Sequence, residues 1–188
     1  MSRIVFLGPP GAGKGTQAKR LAESLSVPHV STGDMLRAAA ESGSELGRSV
    51  KSVLASGALV SDVVMESVVA GRVRAPDCSR GFLLDGYPRT VPQAFFLAGV
   101  VAGLGTRIDH ACLIEVPRRE LVERMLKRAR GPDDTPEVIA RRIDDYDTTT
   151  APLIDFYSAR GLLRRVDGVG SMDEVYARLA AAVTAGCR

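Results

Sequence analysis

Asparagine is missing from this sequence altogether. Its absence excludes the Asn-Lys-x-Asp segment with which GTP-dependent switches read guanine. Cysteine is scarce: Cys78, Cys112 and Cys187 are widely spaced and odd in number, which leaves neither a disulfide framework nor a Cys-x-x-Cys metal site. His29 and His110 stand alone beside apolar residues and read as strand or core-edge histidines rather than ligands. No block of like charge forms a binding tail, and a net charge of +3 is too small to argue for nucleic acid. The longest apolar stretch, Ala94 to Gly105, is interrupted by glycine and too short to span a bilayer. The first strand begins so near the start of the chain that no signal peptide is expected ahead of it. These absences predict a soluble cytoplasmic protein with no membrane or nucleic-acid partner. Lysine is rare as well, at positions 14, 19, 51 and 127 only, so the basic residues are nearly all arginine. Arginine suits forked contacts to phosphate and, equally, a solvated surface.

What remains is the balance of one soluble domain: 188 residues, 45% hydrophobic and 25% charged. The most informative stretch runs from Ile4 to Thr16. Ile4-Val5-Phe6-Leu7 is apolar without alternation, as in a strand buried on both faces. A Gly-rich turn follows, and Gln17 to Glu23 reads as the opening of a helix. Gly8, four intervening residues, Gly13 and Lys14 match a phosphate-binding loop at the strand-to-helix junction where such a loop belongs. Glycines let backbone N–H groups wrap a polyphosphate, the helix N-terminus adds partial positive charge, and Lys14 adds a full one. One residue departs from the general pattern. Gly15 stands where Ser or Thr is usual, and Thr16 comes one place later.

Further along, Val27 to Val30 predicts a short strand, with Ser31 or Thr32 capping a helix that begins near Met35. From there to about Ala75 the pattern is of short helices, broken at Ser42-Gly43-Ser44, Ser56-Gly57 and Ser61-Asp62. Phe82 to Asp85 is a strand, and Thr90, Pro92 and Gln93 resemble a capping box opening a helix. Ile108 to Val116 is the next strand. Arg118 to Arg128 is an amphipathic helix with Leu121, Val122, Met125 and Leu126 on its apolar side. Thr135-Pro136-Glu137 caps a helix expected to reach Arg160. Leu162 to Val166 is the last strand, and Ser171-x-x-Glu174 is a capping box for the last helix. Strand and helix alternate throughout, so the fold class is α/β with a parallel sheet. In such a sheet ligands bind beyond the carboxyl ends of the strands. Ser31 to Arg37 and Asp85 to Arg89 therefore lie on the same edge as the phosphate loop, although two helix caps with a surface arginine each would look similar.

Gly-Pro-Pro-Gly-Ala-Gly-Lys-Gly-Thr-Gln, Ser-Thr-Gly-Asp-Met-Leu-Arg and Gly-Phe-Leu-Leu-Asp-Gly-Tyr-Pro-Arg-Thr together resemble the adenylate kinase family. The likeness continues through Thr149-Thr150-Ala151-Pro152-Leu153 and Val166-Asp167-Gly168. Glycine after the loop lysine is normal in that family. The resemblance implies a P-loop three-layer sandwich with a five-stranded parallel sheet. Mobile segments would close over the substrates: an NMP-binding subdomain at 31–60 and a short lid at about 129–137. It implies reversible phosphoryl transfer from ATP to AMP giving two ADP, with Mg²⁺, by a monomer. Gly11, Ala12, Gly13, Lys14, Gly15, Thr16, Arg124 and the backbone near Gly170 would hold ATP. Thr32, Arg37, Arg89 and Gln93 would hold AMP, with backbone from Ala58, Leu59 and Val60 and from Gly86, Tyr87 and Pro88. Asp85 would orient magnesium through water. Arg128, Arg130 and Arg142 would close on the phosphates, the last two also reaching AMP.

Spacing alone leaves some of these residues open. Arg124 and Arg128 share a helix face, but Glu120 and Glu123 precede Arg124 and Lys127 by four, as on any salt-bridged surface helix. Gln93 is a capping residue by pattern and an adenine contact by resemblance. About ten residues separate Arg128 from Val138, without Cys or His, which is similar to the short-lid form that carries no zinc. Gly131-Pro132-Asp133-Asp134 is expected to move on closure. The acceptor, a phosphate oxygen of AMP, is already anionic, so no general base is needed and positioning with electrostatics supplies the catalysis. A kinase for UMP or CMP shares the scaffold. Thr32 and Gln93 favour AMP by resemblance. A relative that binds nucleotide without catalysis is opposed by Lys14, Asp85 and the arginines.

Overall fold

The computed structural model describes residues 2–42, 47–48, 60–128 and 135–185, without the side chain of Arg128. In chain order these form β1 (Ser2–Leu7), α1 (Lys14–Leu25), β2 (His29–Ser31), α2 (Thr32–Glu41), α3 (Asp62–Val73) and β3 (Gly81–Asp85). There follow α4 (Val91–Gly103), β4 (His110–Glu115), α5 (Arg118–Arg128), α6 (Pro136–Asp145), α7 (Pro152–Ser158), β5 (Leu163–Asp167) and α8 (Met172–Ala185). The strands form one parallel sheet in the order β2-β3-β1-β4-β5. The expected α/β class is borne out, and so is the five-stranded parallel sheet.

The unbroken apolar runs are explained by helices on both faces. Val5, Leu7, Phe82, Leu84, Ala111 and Leu113 pack beneath α3, α4 and α7. Their neighbours in sequence, Ile4, Phe6, Leu83, Cys112 and Ile114, pack against α1, α5 and α8. Successive side chains of a strand point to opposite faces, so each face claims every second residue and none is left for water. Burying each such Val, Leu or Phe contributes about 1.5–3 kcal/mol.

Four helix starts follow the local chemistry read from the sequence. Ser31, Thr90 and Thr135 accept from the N–H of Asp34, Gln93 and Val138 at 3.3, 3.3 and 3.4 Å. Ser171 and Glu174 bond reciprocally, Ser171 N to Glu174 Oε2 at 2.7 Å and Glu174 N to Ser171 Oγ at 3.3 Å.

Other expectations are corrected. Helix α1 begins at Lys14, before Gln17, because left-handed Gly13 (φ 88°) ends the loop. Helix α2 begins at Thr32 directly after its Ser31 cap. The helix expected from Pro136 to Arg160 divides: Tyr146–Thr150 forms a π turn in which Ala151 N bonds Tyr146 O at 2.9 Å. Pro152 lacks an N–H and crowds the carbonyl four residues back, so the wider turn takes up the break. On α5, Leu121 and Met125 are buried but Leu126 is 45% exposed, so the apolar stripe is narrower than expected. The expected break at Ser56-Gly57 lies outside the described residues. No helix among those described is long and apolar enough to cross a membrane.

Candidate active site

At the carboxyl end of β1 the chain leaves the sheet and winds back through the Gly-rich loop into α1. The first turn of α1 carries no acidic residue, and Gly13 supplies no side-chain cap. Its N–H groups are thus not capped by a side chain of the helix start, and with the helix dipole they are receptive to a bound anion. Lys14 Nζ folds over the loop and donates to Gly8 O at 2.7 Å and Pro9 O at 2.9 Å. Register sets the neighbouring carboxylate: Asp85, the last residue of β3, lies level with Phe6 on one side and Ser31 on the other. A Cβ built on Gly15 would stand 3.3 Å from Asp85 Oδ2. A side chain at this position would therefore require the Asp85 carboxylate to shift by a few tenths of an ångström. His29 Nε2 lies 3.7 Å from the same carboxylate.

Next to Asp85, the chain turns through Gly86 at φ 88°, where a side chain would meet Thr32 Oγ1 at 2.6 Å. Thr32 is buried and donates to Asp85 O at 3.3 Å. This contact locks the start of α2 against the end of β3. Tyr87 and Pro88 are buried across a cis peptide bond. Arg89 is exposed and its Nε donates to Gly86 O at 3.0 Å. Arg37 is exposed on α2 and pairs with Asp34, whose carboxyl is held below its usual range mainly by that hydrogen bond. Gln93, 4% exposed, accepts from Arg89 N at 2.7 Å and donates to Asp62 Oδ1 at 2.6 Å. It braces the arginine loop, one residue upstream of where a capping box would act.

On the other side of the loop lies a cleft of about 770 Å³ between α1, α5 and the turn after β5. Gly11, Ala12, Gly13 and Thr16 form one wall, with Gly168 and Gly170 opposite. Arg124 lines the cleft between them. Its Nε and Nη2 donate to Glu120 Oε1 at 3.1 and 2.6 Å, and Nη2 also reaches Gly168 O at 2.8 Å. The helical pair anticipated from spacing exists, but the same guanidinium also ties α5 to the turn beyond β5. Arg142 is half-buried on α6, beside the buried Ile143.

The structure thus gathers the phosphate loop, Lys14, Asp85, Thr32 and the Gly86–Arg89 turn at one sheet edge, with Arg37 on the first helix beyond β2. Val60 is half-buried against the core. Ala58, Leu59, Arg130, the side chain of Arg128 and lid positions 129–134 lie outside the described residues.

Several lining residues were not anticipated. Glu120, Glu123 and Lys127 border the cleft with Arg124, and their i, i+3, i+4, i+7 spacing would have assigned the whole helix face. Gln17 is 3% exposed, donates to Met172 O at 2.9 Å and leaves its Oε1 buried without a partner. A polar residue on the inward face of α1 was the available signal. Pro117, Met172 and Val175 add apolar surface that no motif marked. Among the described residues no group of three His, Cys, Asp or Glu side chains could hold a metal ion by itself.

The chain is similar to known proteins over nearly its whole length. The adenylate kinase family profile matches residues 6–162. An adenylate kinase of Stenotrophomonas maltophilia (strain K279a) is 49% identical over 186 residues, covering 97% of this chain and 100% of that protein. One from Xylella fastidiosa (strain M12) is 47% identical over 188 residues, covering 98% and 100%. One from Chelativorans sp. (strain BNC1) is 46% identical over 182 residues, covering 92% and 94%.

Proposed function

Because the chain belongs to the adenylate kinase family and so catalyses the reaction of ATP with AMP to give two ADP, we propose that the cleft of about 770 Å³ receives the ATP and that AMP lies across Asp85 from it. The observation that carries this reading is the position of Asp85. Its carboxylate stands between a loop with a lysine on β1 and a turn with an arginine on its own strand, so two anions brought to these cations would meet at one carboxylate.

On the donor side, the N–H groups of Gly11 to Thr16 and Lys14 hold the phosphates. Arg124 and the Gly168–Gly170 turn wall the rest of the nucleotide. On the acceptor side, Arg37 and Arg89 hold the AMP phosphate, with Thr32, Val60 and the Gly86–Pro88 backbone around the nucleoside. By family resemblance Ala58 and Leu59 join them. For Gln93 to read adenine, its Nε2 exchanges Asp62 for the base while Oε1 continues to brace Arg89.

Asp85 fits magnesium: it is a lone hard oxygen donor beside the loop, suited to an ion that keeps most of its waters. Mg²⁺, when bound with ATP, neutralises charge developing on the transferring phosphates. The protein's part is to align the AMP oxygen with the γ-phosphate and to exclude water, the competing acceptor. Lys14 leaves its two carbonyl partners for phosphate oxygens. Arg128, Arg130 and Arg142 add to the cationic cage, and residues 31–60 and about 129–137 close over acceptor and donor. Gating by such a lid is a general device of enzymes that must exclude water.

A coupled assay of ATP with AMP, using CMP and UMP as control acceptors, tests the reading. ADP formation is expected with AMP and not with the pyrimidine nucleotides. Hydrogen exchange over 129–137 is expected to slow with a bisubstrate analogue, and equal protection with and without it would remove the lid assignment.

A further inference from the structure

A second concavity, of about 780 Å³, lies at the opposite end of the sheet, at the amino ends of β4 and β5. One strand length, about 15–20 Å, separates that end from the phosphate loop. Its size falls in the usual range of small-molecule sites, roughly 300–1,000 Å³. Ala94, Ala98 and Ala102 stand at i, i+4 and i+8 on α4 and leave room along one side. Phe156 and Tyr157 of α7 also line the groove, both largely buried, so its floor is apolar.

Three arginines, Arg107, Arg160 and Arg164, border this groove. Several other described arginines pair with carboxylates: Arg72 meets Asp77 at 2.6 Å, Arg165 meets Glu115 at 2.6 Å and Arg124 meets Glu120 at 2.6 Å, whereas Arg3 and Arg89 bond backbone carbonyls instead. Among the described residues none of the three groove arginines forms such a carboxylate pair. Arg160 Nη1 donates to Phe156 O at 2.8 Å, and its guanidinium lies 3.6 Å over the Phe156 ring. Arg164 Nη1 donates to Gly161 O and Leu163 O, both at 3.0 Å. These contacts orient the two guanidinium groups without neutralising them, and each keeps further N–H groups for a ligand.

Asp109, the acid of the lining, is engaged by Arg3 N at 2.8 Å. His110 adds no charge, since burial and the nearby Arg164 lower its pKa, and its Nδ1 is buried without a partner. Three cations against one carboxylate leave a net charge that matches a dianion.

We propose that this groove binds a phosphomonoester carried on a flat apolar body, the phosphate held by Arg107, Arg160 and Arg164 and the body lying between the alanines of α4 and the aromatic rings of α7. The site is separate from the nucleotide sites and takes no part in the phosphoryl transfer.

The test is calorimetric titration of phenyl phosphate into the full-length enzyme saturated with a bisubstrate nucleotide analogue. Binding of the analogue reports the nucleotide sites separately, so failure of one reading is told apart from failure of the other. Phenyl phosphate is expected to bind with a Kd of about 1 mM or tighter. Arg160→Ala and Arg107→Glu are each expected to weaken it about tenfold or more. Arg165→Ala, which removes a carboxylate-paired arginine of β5, should leave it unchanged. Circular dichroism and turnover confirm that each variant is folded. The proposal is overturned if phenyl phosphate does not bind, if the two groove variants bind it as the parent does, or if inorganic phosphate binds equally well, since that would reduce the groove to diffuse surface charge.

Discussion

Leu84 and Asp85 are consecutive residues of β3, yet they belong to different physical regimes. Leu84 is 0% exposed and packs beneath α3, α4 and α7, where only shape and apolar area matter. The Asp85 side chain is 14% exposed and stands beside Gly15 of the phosphate loop and His29 of β2, where charge matters. The same step occurs on β1, from buried Leu7 to the glycine that opens the loop. Strand middles thus carry stability and strand carboxyl ends carry chemistry. The rigid sheet holds the ends in register at little cost, because the residues that fix it are different residues.

If that division holds, substitutions on the two sides will separate activity from stability. The largest effect is expected at Lys14. Lys14→Ala should lower kcat/KM about 10²–10³-fold by removing a cation aimed at developing phosphate charge, with an unchanged thermal unfolding midpoint. Full turnover in that variant would break the comparison outright. Leu84→Ala should do the reverse. Its buried methyl groups leave a cavity costing about 2–5 kcal/mol, read from urea unfolding, while kcat per folded molecule stays near that of the parent.

Arg124 sharpens the boundary, since it serves both the helix pair and the turn at Gly168. Arg124→Lys keeps the charge and loses the fork, so a rate loss of about tenfold with normal stability is expected. A normal rate would return Arg124 to an ordinary surface pair. The smallest effect is expected at Glu174, whose carboxyl is held below its ordinary value of 4.5 by hydrogen bonds from Ser171. The unfolded chain takes up that proton at higher pH than the folded one. The contribution of Glu174 is therefore present above about pH 4.5 and lost as pH falls through the lowered folded value. Glu174→Gln should flatten that part of the stability–pH curve and leave turnover untouched.

The parts of the fold that were legible in the sequence rest on contacts within a few residues. The caps at Ser31, Thr90, Thr135 and Ser171 need only a side-chain oxygen three residues ahead of an N–H. Unalternated apolar runs likewise require helices on both faces. The misjudged helix from Pro136 to Arg160 shows where local reading stops: periodicity carries across Pro152, and the π turn at Tyr146–Thr150 is not encoded in the spacing of apolar residues. Gln93 shows the same limit. Its pattern indicated a cap, whereas its amide joins Arg89 to Asp62, 31 residues away in sequence.

By itself the sequence determined the alternation of strand and helix, the phosphate loop at the end of the first strand, and the motifs that identify the family. Each depends on residue type at short range, which a linear chain specifies directly. Tertiary structure alone decided the order β2-β3-β1-β4-β5 and the register that sets Asp85 against Gly15. It also decided the reach of Arg124 to the turn beyond β5 and the placing of Arg107, Arg160 and Arg164 along one groove at the far end of the sheet. These depend on which strands become neighbours, a choice made by packing two apolar faces at once rather than by any one segment.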